Sequence, residues 1–223
     1  QGNFYTRAGQ FRINDDGVVQ DITGNILQGF QITGGTKGVA ISIAAPTIIN
    51  CWIHDNENTT DGSGCGISIH DPVPGCPAIT DSLIYGNRCV TGGGFTATTY
   101  DCADFYRTDI YENEATGSGG GASFDADVTF TETTIRDNLA GGEGGGIFFT
   151  GNGSIALNRS AITGNTAGTN GGGLLRMAAG GPMTMENSIL ARNRAQQGGG
   201  AYFKGSFTAN FSTIAHNEAT VGN

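Results

Sequence analysis

ITGNTAGTNGGGLL, residues 162–175, is the stretch on which the reading of this chain turns. It holds an I-x-x-N segment, a small residue two positions later, a triple glycine and an apolar pair. The same order recurs along the chain. The asparagine that closes each I-x-x-N-like segment stands at Asn56, Asn87, Asn113, Asn138, Asn165, Asn193 and Asn217, and Gly35 takes the slot in FQITGG. Successive steps are 21, 31, 26, 25, 27, 28 and 24 residues, which makes eight coils of about 26 residues. Repeats of that length mark an array whose units stack on one another.

Columns counted back from the asparagine carry the same chemistry in every coil. Three before it stand Ile32, Ile53, Ile84, Ile110, Ile135, Ile162, Leu190 and Ile214. Eight before it stand Leu27, Ile48, Ile79, Phe105, Phe130, Leu157, Met185 and Ala209. Five before it, after Phe30 and Cys51, come Ser82, Thr108, Thr133, Ser160, Ser188 and Ser212. Two after it come Cys89, Ala115, Ala140, Ala167, Ala195 and Ala219. Triple glycines begin at Gly92, Gly119, Gly144, Gly171 and Gly198, and apolar i, i+2 pairs follow, such as Phe95/Ala97 and Ile147/Phe149. Leu174/Arg176 breaks that pattern. The period within each segment is two, so the segments are strands. Short strands between Gly and Asn corners predict an all-β parallel β-helix of about eight coils with three strands each, spaced about 4.8 Å apart. Asparagine at the corner is expected to take the left-handed turn, with its amide bonded to the asparagine of the next coil. One coil cannot bury its apolar face, whereas a stack of coils can.

These units resemble right-handed parallel β-helix proteins of the pectin-lyase-like type. They are similar to surface proteins with polymorphic-membrane-protein-type repeats, which pair an N-x-A segment with G-G-[AI]; here GGAS stands at 120–123 and GGAY at 199–202. The resemblance covers about residues 25–223 and implies a right-handed helix in a secreted or surface-displayed protein. It leaves activity open, because one fold hosts many functions. The long 57–77 segment and the cysteine-rich coils at 51–102 depart from the pattern. The expected organisation is one domain over 1–223, with an irregular arm or partial cap at 1–24 and repeat coils at 25–223.

Composition narrows the function. Of 223 residues 39 are glycine, roughly twice the usual share, yet without the triplet period of collagen. Net charge is −9, and Lys37 and Lys204 are the two lysines, so no basic surface exists to neutralise phosphates and nucleic acid is excluded as a partner. No apolar run approaches 18 residues, so no helical membrane span is expected. The start at Gln1 rather than Met reads as a processed or excised segment.

The five cysteines lie between 51 and 102. Cys76 and Cys102 each stand 11 residues before their anchor, so stacking brings them within disulfide reach. Cys65–Cys76 is the rival pair. Cys51 and Cys89 occupy inward columns and read as buried thiols. No CxxC is present and histidine is scarce, so zinc is not expected. Cysteine use on a low-charge repeat chain favours an extracellular or cell-surface home.

Positions just after the glycines point outward and read Ser68, Thr96, Ser123, Phe148, Leu175 and Tyr202, without a carboxylate or a base. The leading expectation is therefore a non-catalytic structural or adhesive protein that self-associates head to tail into a filament, or binds other surface proteins or glycans. Phe148, Leu175 and Tyr202 predict an apolar contact ribbon. Tyr85 and Tyr111, flanked by His54 and Arg136, predict an aromatic ladder suited to sugar stacking. The enzyme alternative is a polysaccharide lyase or glycoside hydrolase working near His70, Asp71, Asp101 and Asp125. No cofactor is called for; calcium held at Asp101–Asp104 or Asp125–Asp127 is the weaker alternative. Ice binding ranks last, because Thr129 and Thr131 pair in one coil only and a lattice match needs several.

Overall fold

The computed structural model describes residues 11–13, 19–21, 31–33, 38–41, 47–69, 75–97 and 102–221. These residues form a right-handed parallel β-helix with no α-helix among them. Each winding passes through four sheets in a fixed order. Sheet one holds eight strands: Gln31–Thr33, Trp52–His54, Leu83–Tyr85, Asp109–Tyr111, Thr134–Arg136, Ala161–Thr163, Ile189–Ala191 and Thr213–Ala215. Sheet two, seven strands, follows the asparagine and is mostly two residues wide, as in Glu114–Ala115 and Leu139–Ala140. Sheet three, seven strands, follows the glycines and includes Ala122–Phe124 and Leu174–Arg176. Sheet four, also seven, closes the coil with strands such as Val128–Thr131. Each coil thus carries the three expected strands and, beside them, a short fourth. The extra strand is the asparagine–alanine segment, long enough to pair with its neighbours but too short to show a period. An antiparallel hairpin of Phe11–Ile13 and Val19–Asp21 lies ahead of the helix.

Register follows the sequence columns. Ile53 pairs Ile84, Ile84 pairs Ile110, and the file continues through Ile135, Ile162 and Leu190 to Ile214. Inside, aromatic side chains fill the middle coils: Phe105 stacks on Phe130 at 5.0 Å and meets Phe95 edge-on at 5.0 Å. Each full burial of such a side chain contributes about 1.5–3 kcal/mol, which is realised only because the coil above removes the same face from water.

Two polar files run through this apolar interior. Asn138 donates from Nδ2 to the carbonyl of Ile110 and to Asn165 Oδ1, both at 2.9 Å, while its own Oδ1 accepts from the N–H and Nδ2 of Asn113. The pattern repeats from Asn56 to Asn217. A parallel serine–threonine file links Thr133 N–H to Ser160 Oγ and Ser160 N–H to Ser188 Oγ. Third glycines of the triples make room for the amides: a Cβ on Gly121 would lie 3.0 Å from Asn138 Nδ2 and 2.6 Å from the carbonyl oxygen of Gly146.

Left-handed residues sit one position earlier than expected. The corner asparagines point inward and are not left-handed; the residue before each one is, as at Glu112 (φ 53), Asp137 (φ 54) and Arg192 (φ 57). The residue before each serine or threonine behaves alike, as at Asp81, Arg107, Glu132 and Arg159. Each corner therefore consists of one left-handed residue that turns the chain and one small polar residue whose side chain ties the turn to its neighbour. Glycine removes the steric cost at Gly86 and Gly164.

Candidate functional site

The cysteines staple the irregular upstream coils. Cys76–Cys102 forms as expected, with Cα atoms 4.9 Å apart. The second bond is Cys65–Cys89, with Cα atoms 5.7 Å apart. This corrects both the rival Cys65–Cys76 pair and the reading of Cys89 as a buried thiol. Asn58 is the residue in register with Cys89 in the alanine column, so Cys65 reaches Cys89 from further along the inserted 57–77 segment. Cys51 is buried in the serine column and outside both disulfides.

The expected apolar ribbon is interrupted. Leu175 is only 1% exposed, whereas Tyr202 is 39% exposed and Phe148 is half-buried. The first glycine of each triple folds back over the outward residue: a Cβ on Gly171 would lie 2.8 Å from Leu175 Cα, and one on Gly119 would lie 3.2 Å from Phe148 Cβ. Ser68, Thr96 and Ser123 are buried on the same face. Sheet three is therefore covered at Ser68, Thr96, Ser123 and Leu175 and open at Tyr202.

The aromatic ladder forms, with a different presentation. His54 stacks on Tyr85 at 4.6 Å, Tyr85 on Tyr111 at 4.9 Å, each 8° from parallel, and the Arg136 guanidinium lies 4.1 Å from the Tyr111 ring centre. Ring faces are spent on one another along the helix axis, so the ladder offers edges and hydroxyls to solvent. A sugar laid flat on Tyr85 or Tyr111 has no open ring face to meet. Burial beside Tyr85 and Asp109 raises the Tyr111 phenol above its ordinary value.

Of the enzyme alternative, His70, Asp71 and Asp101 lie outside the described residues. Asp125 is half-buried at the corner after Phe124. Its neighbour Asp127 accepts from both the N–H and Oγ of Ser154 at 2.7 Å, which lowers its carboxyl below the usual value. Those bonds tie one corner to the equivalent corner of the next coil. No group of three or more potential metal ligands occurs among the described residues. No helix there is long and apolar enough to cross a membrane.

Sequence reasoning missed the charge files. Arg107 grips Asp81 with Nε and Nη2 at 2.6 and 2.8 Å, and Arg159 pairs Glu132 at 2.9 Å in the same file. The Arg107 hydrogen bonds lower Asp81, and Asp81 in turn raises Arg107. Arg88 sits between Glu57 and Glu114 in a second file. Asp109 and Arg136 pair across sheet one at 2.9 Å; burial raises Asp109 despite that partner. A shallow groove of about 320 Å³ is lined by Asp81, Arg107, Glu132, Leu83 and Asp109. The alternation of sign at a fixed column was legible in the sequence.

Arg176 also gains an explanation. It is 1% exposed in a column of phenylalanines, with its guanidinium 5.3 Å from the Phe149 ring centre. Nε donates to the carbonyl of Ala178 and Nη2 to that of Gly153, pinning two neighbouring corner loops; burial lowers its pKa. Comparison of the chain with protein-family models, curated proteins and solved structures returned no match.

Proposed function

We propose that the chain is a non-catalytic structural and adhesive β-helix of the cell exterior, whose rods join end to end. The observation that carries this reading is the repeated inter-coil bonding, which any winding of the same kind can join. In each interior coil the serine and asparagine N–H groups donate to the side chains of the next coil, as Ser188 does to Ser212 and Asn193 to Asn217. The edge beyond Ser212 and Asn217 repeats that chemistry and suits a further winding of the same kind. If another copy of this chain supplies that winding, the assembly is open.

Two disulfides support an oxidising compartment. The repeat resemblance to pectin-lyase-like surface proteins points to display. Glycans, as ligands, would meet tyrosine hydroxyls and charged files in this reading.

Electron microscopy and light scattering test it. Rods longer than one chain at about 100 µM are expected, and Ile214→Lys, which places a charge on the edge, should shorten them. Single-chain rods at that concentration in the wild type would overturn the reading.

A further inference from the structure

The chain contains two asparagine–glycine pairs, Asn152–Gly153 and Asn170–Gly171. In such a pair the backbone nitrogen of the second residue can reach the side-chain amide carbon of the first, because glycine puts no side chain in the way. The fold treats the two pairs in opposite ways.

Asn170 is tied down. Its Nδ2 donates to Glu143 Oε1 at 2.8 Å, and its carbonyl accepts from the Gly144 N–H at 2.9 Å. The Gly171 N–H, whose nitrogen would have to attack, donates to the carbonyl of Gln197 at 3.0 Å, and Asn170 pairs with Gln197 in a parallel bridge. Stacking thus engages both reacting groups elsewhere.

Asn152 stands exposed in the turn between Ile147–Phe149 and Ile155–Asn158. Among the described residues nothing bonds its side-chain amide or the Gly153 N–H. The turn is held by its carbonyls alone: that of Asn152 accepts from the Gly181 N–H at 2.7 Å, and that of Gly153 from Arg176 Nη2 at 2.8 Å. Packing also demands the glycine, since a Cβ on Gly153 would lie 2.4 Å from the carbonyl carbon of Ala126. The corner therefore carries a reactive pair at the surface and admits no bulkier residue after the asparagine.

The geometry points to Asn152 as a site of spontaneous modification through a succinimide. Hydroxide removes the Gly153 amide proton, and the nitrogen attacks Asn152 Cγ. The N–Cγ bond forms, the Cγ–Nδ2 bond breaks, and Nδ2 takes a proton from water and leaves as ammonia. Water then opens the ring. Attack at Cγ gives aspartate; attack at the main-chain carbonyl carbon gives isoaspartate, with the chain now running through Cγ. Water is consumed, ammonia is released, and nothing is oxidised or reduced. Isoaspartate adds a carbon to the backbone between the two carbonyls that hold Gly181 and Arg176, so the corner keeps a permanent mark of the molecule's age.

Peptide mapping by mass spectrometry tests this on the folded protein held at mildly alkaline pH. The Asn152 peptide should gain one mass unit about thirtyfold faster than the Asn170 peptide, because the two ordinary hydrogen bonds at Asn170 Nδ2 and the Gly171 N–H must open before that pair reacts. A protein isoaspartyl methyltransferase should label the Asn152 peptide as the mass gain appears. In guanidinium chloride both peptides should change at matching rates. Asn152→Gln, whose longer side chain would have to close a six-membered ring, should abolish the label; a label that persists in this variant overturns the assignment. Equal rates for the two pairs in the folded protein overturn it too. So does an Asn152 peptide that changes only in guanidinium chloride, and so does a mass gain without isoaspartate, which would assign direct hydrolysis of the side-chain amide.

Discussion

Asn138→Ala tests whether the buried amide file holds the coils together. The side chain is 1% exposed and takes part in four hydrogen bonds. Its removal leaves two groups without partners: the N–H of Asn113 and one amide hydrogen of Asn113. Asn165 Oδ1 keeps the N–H of residue 138, and the carbonyl of Ile110 stays in the sheet-one ladder. Each orphaned buried group costs about 1–3 kcal/mol, so partial relaxation still leaves a loss of about 3 kcal/mol. Asn217→Ala removes the equivalent contacts at the exposed edge, where water replaces them, and should cost about 1 kcal/mol or less. Urea titration followed by circular dichroism measures both, with an unchanged slope showing that the folded states bury similar surface. Costs that agree within about 1 kcal/mol would refute the argument that burial, rather than the bond count, sets the worth of the file.

Gly121→Ala should destabilise by about 2–4 kcal/mol in the same assay, because its Cβ meets backbone oxygen and the Asn138 amide rather than a flexible chain end. Cys65→Ser with Cys89→Ser should lower stability by about 3 kcal/mol, the value for a bridge across 24 residues; thiol counting of the unfolded wild type should find one group before reduction and five after. Arg176→Met should be neutral or stabilise by about 1 kcal/mol, since it relieves a desolvated charge that has no carboxylate partner and half-buried loops let water reach the freed carbonyls. Asp127→Asn should show its pH sign directly. The folded carboxyl titrates below 3.8, so its stabilisation is present above that value and fades as pH falls through the folded pKa. The variant should therefore lose about 1 kcal/mol at pH 7, allowing for exposure, and converge with the wild type as pH falls through the folded pKa.

Much of this architecture was legible because stacking forces equal columns to hold equal chemistry. Ile110, Ser160 and Asn165 needed only the repeat length to be placed in their files. The same logic found Cys76–Cys102 and failed for Cys65, whose position in the 57–77 insertion has no anchor to count from. It failed for Leu175 too, since whether an outward residue is covered depends on the path of the chain ahead of the glycines. The left-handed residues were hidden by their diversity: Asp81, Arg107, Glu132 and Phe211 share a backbone shape and no side-chain property. What betrays them is position, one residue ahead of an inward serine or asparagine. Arg176 looked anomalous because its partners are two carbonyls of adjacent corners, a kind of contact that no residue column records. For the candidate site, the column of Tyr85 and Tyr111 was readable, but the direction in which the rings face was not.

The alternating signs of Asp81, Arg107, Glu132 and Arg159 carry a consequence for how such a molecule can lengthen. Duplicating a single winding would set two like charges about 4.8 Å apart on an outer rim, where they repel; duplicating two together keeps plus above minus throughout. Between Asp81 and Arg159 the rim thus favours insertion by pairs; where the column reads Asn50, Asn187 and Phe211 it sets no such condition.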